Sequence, residues 1–567
     1  MAYDSTPIQA PRAAGALLRA LTGLAENPLT SNLLAGTLLE SAGIVRLRQV
    51  PAEEPLPVEP PVFAVARALA PPEAGRSPAA ELALLDAPPP DPPAGSHPFR
   101  SSRDFVRAYQ EGRTDPVQVA ERILAASASA DEASPPLRIF IAQQRDDLLR
   151  QAEESAARYR AGHACGPLDG VPVAVKDELD VAGYPTTVGT RFLGRQPAPE
   201  DATVVGRLRA AGALIIGKTN MHEIGLGVTG VNPHHGACRN PYDPARAPGG
   251  SSSGPAAAVA YGLCPLGVGA DGGGSIRIPA SFCGVVGLKS TFGRLSEHGA
   301  APLCWSLAHV GPIAATAADA ALGYLLMAGP DPRDPNSLHQ PTPTLAGLDR
   351  LDLQGLKLGI YPPWFEHADA PVVAACRRML DELVQAGAEL HEIDLPDLDI
   401  ARTVHLITIV SEMATAHLRH YAEHRRAYGH DTRLNLVLAR RLAATDYDHA
   451  QRLRARIWCH FARALEQVEL IVSPATGCTA PPIPADVLRT GESNLPLTTK
   501  IMRFAQPANL TGLPAISVPV GYDPDGLPIG LQLMARPWQE ALLLRVARFT
   551  ETRCRRQPPR VSCELLG

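Results

Sequence analysis

Between Pro248 and Gly293 the chain reads PGGSSSGPAAAVAYGLCPLGVGADGGGSIRIPASFCGVVGLKSTFG. Glycine, serine and proline punctuate this stretch so densely that it must fold as short apolar elements joined by tight turns. Two familiar motifs match inside it. Gly267 to Gly272 fits GxGxxG, but that dinucleotide fingerprint needs a helix beginning after its last glycine. Here Gly273, Gly274 and Pro279 follow at once. Gly250 to Gly254 fits GxSxG, the nucleophile elbow, which needs an apolar strand directly ahead of it. What precedes is Arg239-Asn240-Pro241-Tyr242-Asp243-Pro244, a loop, and no downstream Asp-then-His pair is recognisable. Neither motif accounts for the segment.

A third arrangement uses more of the residues. In Asp271-Gly272-Gly273-Gly274-Ser275 a serine stands behind three glycines, which can turn successive N–H groups into one concavity. Fixed donors beside a nucleophile are what a developing oxyanion requires. Ser251 sits 24 residues earlier in a second glycine turn, Gly249-Gly250. Upstream, Gly170 to Val175 is an apolar strand that delivers Lys176 at its end. Only five of the 53 basic residues are lysines (Lys176, Lys218, Lys289, Lys357 and Lys500), so a lysine in an apolar setting stands out. No Ser-x-x-Lys occurs at any of them, which excludes the β-lactamase arrangement.

Composition narrows the class. With 45% apolar and 20% charged residues over 567 positions, the chain can bury a large core. A net charge of −5 disfavours sequence-independent nucleic-acid binding. Ten scattered cysteines without a CxxC, and no secretory signal, point to an intracellular home, cytoplasmic or peripheral to a membrane. No apolar run is long enough to span a bilayer. No metal-binding motif is present, so neither metal nor cofactor is expected.

Three regions follow from the punctuation. Residues 1–50 hold two short apolar helices, with Leu17, Leu18, Leu21 and Leu24 on the first and Leu33, Leu34, Leu38 and Leu39 on the second. Thr30 or Ser31 is placed to cap the second. This pair reads either as a packed hairpin or as a segment that touches a membrane or guards an apolar channel. Residues 51–98 contain 14 prolines in 48 positions and read as an extended arm without regular elements. Residues 99–567 read as α/β. A helix is predicted over 372–384, stopped by Gly387 and followed by a strand over 388–393. Paired strands are predicted at 515–520 and 527–534 around the turn 522–526.

The Lys176, Ser251 and Ser275 segments together resemble the amidase signature family of Ser–cis-Ser–Lys hydrolases. Five stretches, VPVAVKDELD, KTNMHEIGLGVTG, GGSSSGPAAAVAYGLC, GADGGGSIRIPASFCGVVGLKSTFGR and LPAISVPVGYDPDGLPIGLQLMARPW, read like its plant-type fatty acid amide hydrolase branch. The apolar N-terminal segment and the proline-rich arm are similar too. Pro255 departs from the usual small residue, at a helix start away from the chemistry. The resemblance implies a central mixed β-sheet covered by helices on both faces, with an N-terminal helical extension. It also implies hydrolysis of N-acyl amides, long-chain ones foremost, through an acyl-enzyme, and it is compatible with a homodimer. Ser275 would be the nucleophile, Ser251 the bridging serine in a cis peptide, and Lys176 the base. Gly272, Gly273, Gly274 and Ser275 would supply the oxyanion N–H groups, and Gly225 would line the site with its carbonyl. Asp271 and Arg277 are read as braces of the loop.

Elementary chemistry supports those roles. A serine hydroxyl is a weak nucleophile until a neighbouring base takes its proton. Lysine is a base only when neutral, so burial is expected to lower its affinity for the proton. Alternatives are an aryl acylamidase, an amidotransferase-type glutaminase, and a membrane-associated binding module on an amidase scaffold; the last would expect a broken Ser–Ser–Lys set, and all three residues are present.

Overall fold

A computed structural model of the chain describes residues 3–6, 8, 10–52, 56, 77–86 and 91–567. Among the described residues eleven strands form one mixed sheet: β1 (Phe140–Ala142), β2 (Pro172–Lys176), β3 (Leu214–Thr219), β4 (Leu266–Ala270), β5 (Val286–Lys289), β6 (Val310–Ala314), β7 (Lys357–Ile360), β8 (Glu389–Glu392), β9 (Leu470–Pro474), β10 (Ala515–Tyr522) and β11 (Pro528–Ala535). Their spatial order is β1-β3-β2-β4-β6-β5-β10-β11-β9-β7-β8. The β3–β2–β4 group is parallel, as is β9–β7–β8, and the remaining pairings are antiparallel.

Every residue of β2 through β6 is buried, so both faces are covered. Successive residues of β4 show how. Leu266 packs on Gly323 of the Ala317–Met327 helix on one face. Gly267 faces Pro255 of the Ser253–Tyr261 helix on the other, where an added Cβ would lie 3.1 Å from the proline ring. The GxGxxG glycines 267 and 269 are therefore strand residues that let a helix lie close. Gly269 likewise faces Ser252.

The helix predicted over 372–384 spans Ala370–Gln385, followed by β8. The paired strands are β10 and β11, antiparallel with a register shift between Pro519 and Gly521. One expectation fails within the described part of the proline-rich arm: Pro78–Ala83 is a helix. Proline is tolerated at a first helical position, the Ser77 hydroxyl accepts the Ala80 N–H, and buried Glu81 accepts the Leu345 N–H at 2.7 Å. The rest of that arm lies largely outside the described residues.

At the N-terminus the helices are Gly15–Glu26 and Ser31–Ser41, with a further turn, Ile44–Leu47, that the sequence did not announce. Thr30 does not cap the second helix; its hydroxyl donates back to the Leu24 carbonyl. Leu18 and Leu39 are buried, Leu17 and Leu24 are exposed, and the side chain of Leu33 lies outside the described residues. The first helix is tied to the body at its end, where Glu26 accepts from Arg433 Nε at 3.0 Å and from the Tyr421 hydroxyl at 2.9 Å. Among the described residues no helix is long and apolar enough to cross a membrane.

Candidate active site

Topology brings the three chemical segments together. Strands β2 and β4 are parallel neighbours, with Val173 opposite Leu266 and Val175 opposite Val268, so their C-terminal ends lie side by side. Lys176 ends β2 and Asp271 follows β4. Clefts at such carboxyl ends are where open α/β sheets bind ligands. The Ser253–Tyr261 helix runs back beneath the sheet to start β4, so the serine turn at its head faces the same edge. Gly249 makes that turn with φ +86°, and an added Cβ would lie 2.6 Å from the Pro279 Cα.

Lys176 is almost completely buried, and its Nζ donates to Ser251 Oγ at 2.8 Å and to the Ala270 carbonyl at 3.3 Å. The Gly250–Ser251 peptide is cis. The Ser252 N–H donates to the Ser275 carbonyl at 3.3 Å, which brings the two serine turns together. Ser252 itself, the would-be elbow nucleophile, is committed elsewhere. Its hydroxyl donates to the Ala270 carbonyl at 3.1 Å and accepts the Ala270 N–H at 3.2 Å. Gly225, at φ +77°, lies beside this cluster: an added Cβ would stand 3.6 Å from both Ser251 Oγ and Glu178 Oε2. Among the described residues its carbonyl accepts no protein N–H.

The glycine loop is held by Asp271. Burial opposes a charge there, yet the Arg277 guanidinium, with Lys289 and Asn509, holds the Asp271 carboxyl well below the usual range. Arg277 donates to it through Nε and Nη2, both at 3.0 Å, and spends its other N–H groups on Asn509 Oδ1, the Ala505 carbonyl and Gln532 Oε1. The pair braces the loop, as read from the sequence. It also corrects one expectation. The Gly274 N–H donates to Asp271 Oδ1 at 2.6 Å, because a buried carboxylate recruits every donor within reach, so it is not offered to a substrate. The N–H groups of Gly272, Gly273 and Ser275 have no protein acceptor among the described residues.

Three residues that sequence reasoning passed over complete the site. Glu178, two positions beyond Lys176, places Oε2 2.6 Å from its Nζ, and both side chains are buried. His405, on the Leu398–Ala416 helix, bonds the Gly272 carbonyl at 2.8 Å. Asn509 donates to the Asp271 carbonyl at 2.8 Å. Each is a single residue without a spacing pattern to flag it. Lysine scarcity also discriminates less than expected: Lys218 and Lys289 are buried as well, paired with Asp177 at 3.2 Å and His309 at 3.1 Å.

The Amidase family model matches residues 121–544, a span that contains every residue of this site. The chain belongs to the amidase signature family. A fatty acid amide hydrolase of Oryza sativa subsp. indica is 42% identical to this amidase over 588 residues, covering 99% of this chain and 95% of the rice protein. A fatty acid amide hydrolase of Medicago truncatula is 40% identical over 97% of this chain and 94% of that protein. A solved peptide amidase in complex with the competitive inhibitor chymostatin superposes with a TM-score of 0.69 and 30% identity, over 81% of this chain and 98% of that one. With this membership and these relatives, the protein is an amide hydrolase.

The Asp271–Arg277 pair has a measurable consequence for this amidase. Replacing Arg277 with Met strands a buried carboxylate and is expected to cost about 3–5 kcal/mol in urea unfolding at neutral pH. The sign with pH follows from the lowered carboxyl. In the parent, its contribution is complete above the ordinary carboxylate value of about 3.9 and is lost as pH falls below it. In Arg277→Met the stranded carboxylate is relieved by taking up a proton, so acidification narrows the gap to the parent.

Proposed function

We propose that this amidase hydrolyses N-acyl amides, long-chain fatty acid amides such as N-acylethanolamines foremost, to free acid and amine through an acyl-enzyme on Ser275. The observation that carries the chemistry is the 2.8 Å bond from Lys176 to Ser251, next to a glycine loop with uncommitted N–H groups. In this reading the Ser275 hydroxyl, unbonded among the described residues, turns onto Ser251 when substrate binds; its Oγ then bonds to the amide carbonyl carbon while its proton passes to Ser251, whose own proton passes to Lys176. The carbonyl oxygen takes the charge and is met by the N–H groups of Gly272, Gly273 and Ser275. Glu178 steadies the ammonium that forms. The proton then returns through Ser251 to the amine nitrogen, the C–N bond breaks, and water releases the acid by the same route. The free carbonyl of Gly225 suits an N–H of the substrate.

Two observations support a long acyl chain. The rice relative carries that activity in its name and aligns over nearly the whole chain. Leu303 and Cys304, which flank Gly225 and Gly272, belong to the same apolar cluster as Leu39, Ile44 and Leu47 of the N-terminal segment. We read this segment as the roof of an acyl channel, with exposed Leu17, Leu24 and Leu29 available to a membrane. Each methylene buried is worth about 0.8 kcal/mol, roughly fourfold in kcat/KM, until the channel is full. Deleting residues 1–50 is expected to flatten that dependence while short amides are still cleaved. A truncated enzyme with the parent's chain-length profile would make the helices a plain structural cap.

The decisive experiment is a hydrolysis screen over N-acyl amides of graded length and amine type, with glutamine and anilides included, and mass spectrometry of the trapped acyl-enzyme. Rising kcat/KM with chain length and an acyl group on Ser275 support the reading. A preference for glutamine or anilides overturns the substrate class, and label on another residue overturns the nucleophile.

A further inference from the structure

We propose that His405 is a positioning residue that decides which way the Gly272–Gly273 peptide points, and so whether the Gly273 N–H faces the reacting carbonyl. The inference rests on the reading of Ser275 as nucleophile.

In a trans peptide the C=O and the following N–H point in opposite directions. His405 Nε2 lies 2.8 Å from the Gly272 carbonyl oxygen, so the Gly273 N–H is directed away from the imidazole. Among the described residues that N–H meets no protein acceptor. Among the described residues no backbone hydrogen bond holds this peptide. The peptide is flanked by glycine on both sides, and without a Cβ either orientation is open at little cost. The side-chain bond to the carbonyl therefore sets it.

The environment of the ring suits that task. It is buried, and burial lowers its pKa to about 4, so at neutral pH it is uncharged and carries one N–H. The Gln506 amide nitrogen approaches Nδ1 at 3.5 Å, as a donor to an unprotonated nitrogen, which leaves the proton on Nε2 for Gly272. The ring also packs directly on the loop, where a Cβ at Gly273 would fall 2.7 Å from its Cε1. Asn509 repeats the arrangement one residue earlier, holding the Asp271 carbonyl at 2.8 Å and so directing the Gly272 N–H.

The test compares His405→Gln, which keeps an N–H donor, with His405→Met, which fills a similar volume without one. Removing an oxyanion donor typically lowers kcat about 10²–10³-fold. We expect His405→Met to lose kcat in that range with KM within about threefold of the parent, and His405→Gln to recover at least tenfold of the loss. Affinity for a long-chain alkyl trifluoromethyl ketone, to which the serine oxygen adds to give a tetrahedral oxyanion, should fall in step with kcat/KM. Equal kcat in the two variants overturns the proposal, as does a loss of kcat that ketone affinity does not follow. Peptide mapping of a fluorophosphonate adduct on the parent enzyme separates the two layers. An adduct away from Ser275 overturns the nucleophile, whereas an adduct on Ser275 with indistinguishable His405 variants overturns the positioning role alone.

Discussion

Ser275→Ala is expected to abolish acyl-enzyme formation and lower turnover by about 10⁴–10⁶-fold, with an unfolding midpoint close to the parent's. Losing the nucleophile proposed for this site removes the covalent route and leaves what the oxyanion donors and binding alone provide. The fold should not notice: among the described residues the Ser275 hydroxyl makes no hydrogen bond, while its carbonyl, which accepts from Ser252, is retained in alanine. Mass spectrometry after quenching with excess substrate reads the result. If an active, acylated Ser275→Ala protein were recovered, the hydroxyl would have to be sought elsewhere. Ser252 would be the first place to look, although both of its bonds to Ala270 would have to break.

Lys176→Ala carries the second largest effect. A positioned general base, the role proposed for Lys176, contributes about 10²–10⁴-fold, and its Nζ also donates to Ser251 Oγ at 2.8 Å. The substitution also leaves Glu178 Oε2 buried without its Nζ partner, so some loss of stability will accompany it, and kcat/KM corrected for the folded fraction is the measurement to trust. A corrected value equal to the parent's would take Lys176 out of the mechanism.

What the sequence made legible was local. An apolar run ending in lysine, glycines grouped before a serine, a periodic helix stopped at Gly387 and two alternating runs around Tyr522–Gly526 each announce their structure within a dozen residues. The decoy motifs failed for local reasons too, since the glycines at 267 and 269 belong to a strand and Ser252 heads a helix without a strand before it. What stayed hidden depends on distant pairing. The order of eleven strands is a matter of long-range contacts, and no spacing in the chain encodes that His405 will reach Gly272 or Asn509 will reach Asp271. The Gly274 N–H was misread for the same reason: three adjacent glycines look equivalent until a buried carboxylate claims one of them.

Arg277 gives this geometry a direction in time. Its guanidinium closes the loop onto Ala505, Asn509 and Gln532, residues 228, 232 and 255 positions further along the chain. A growing polypeptide displays Lys176, Ser251 and Ser275 on the ribosome long before those acceptors have been made. Until they arrive, Arg277 lacks its far anchors and the Asp271 carbonyl lacks its donor, so the concavity beside Ser275 has no fixed shape. On the roles proposed for Lys176, Ser251 and Ser275, a fragment that stops short of Ala505 is expected to carry all three side chains without the bonds that brace the loop beside them, and so to leave amides uncleaved.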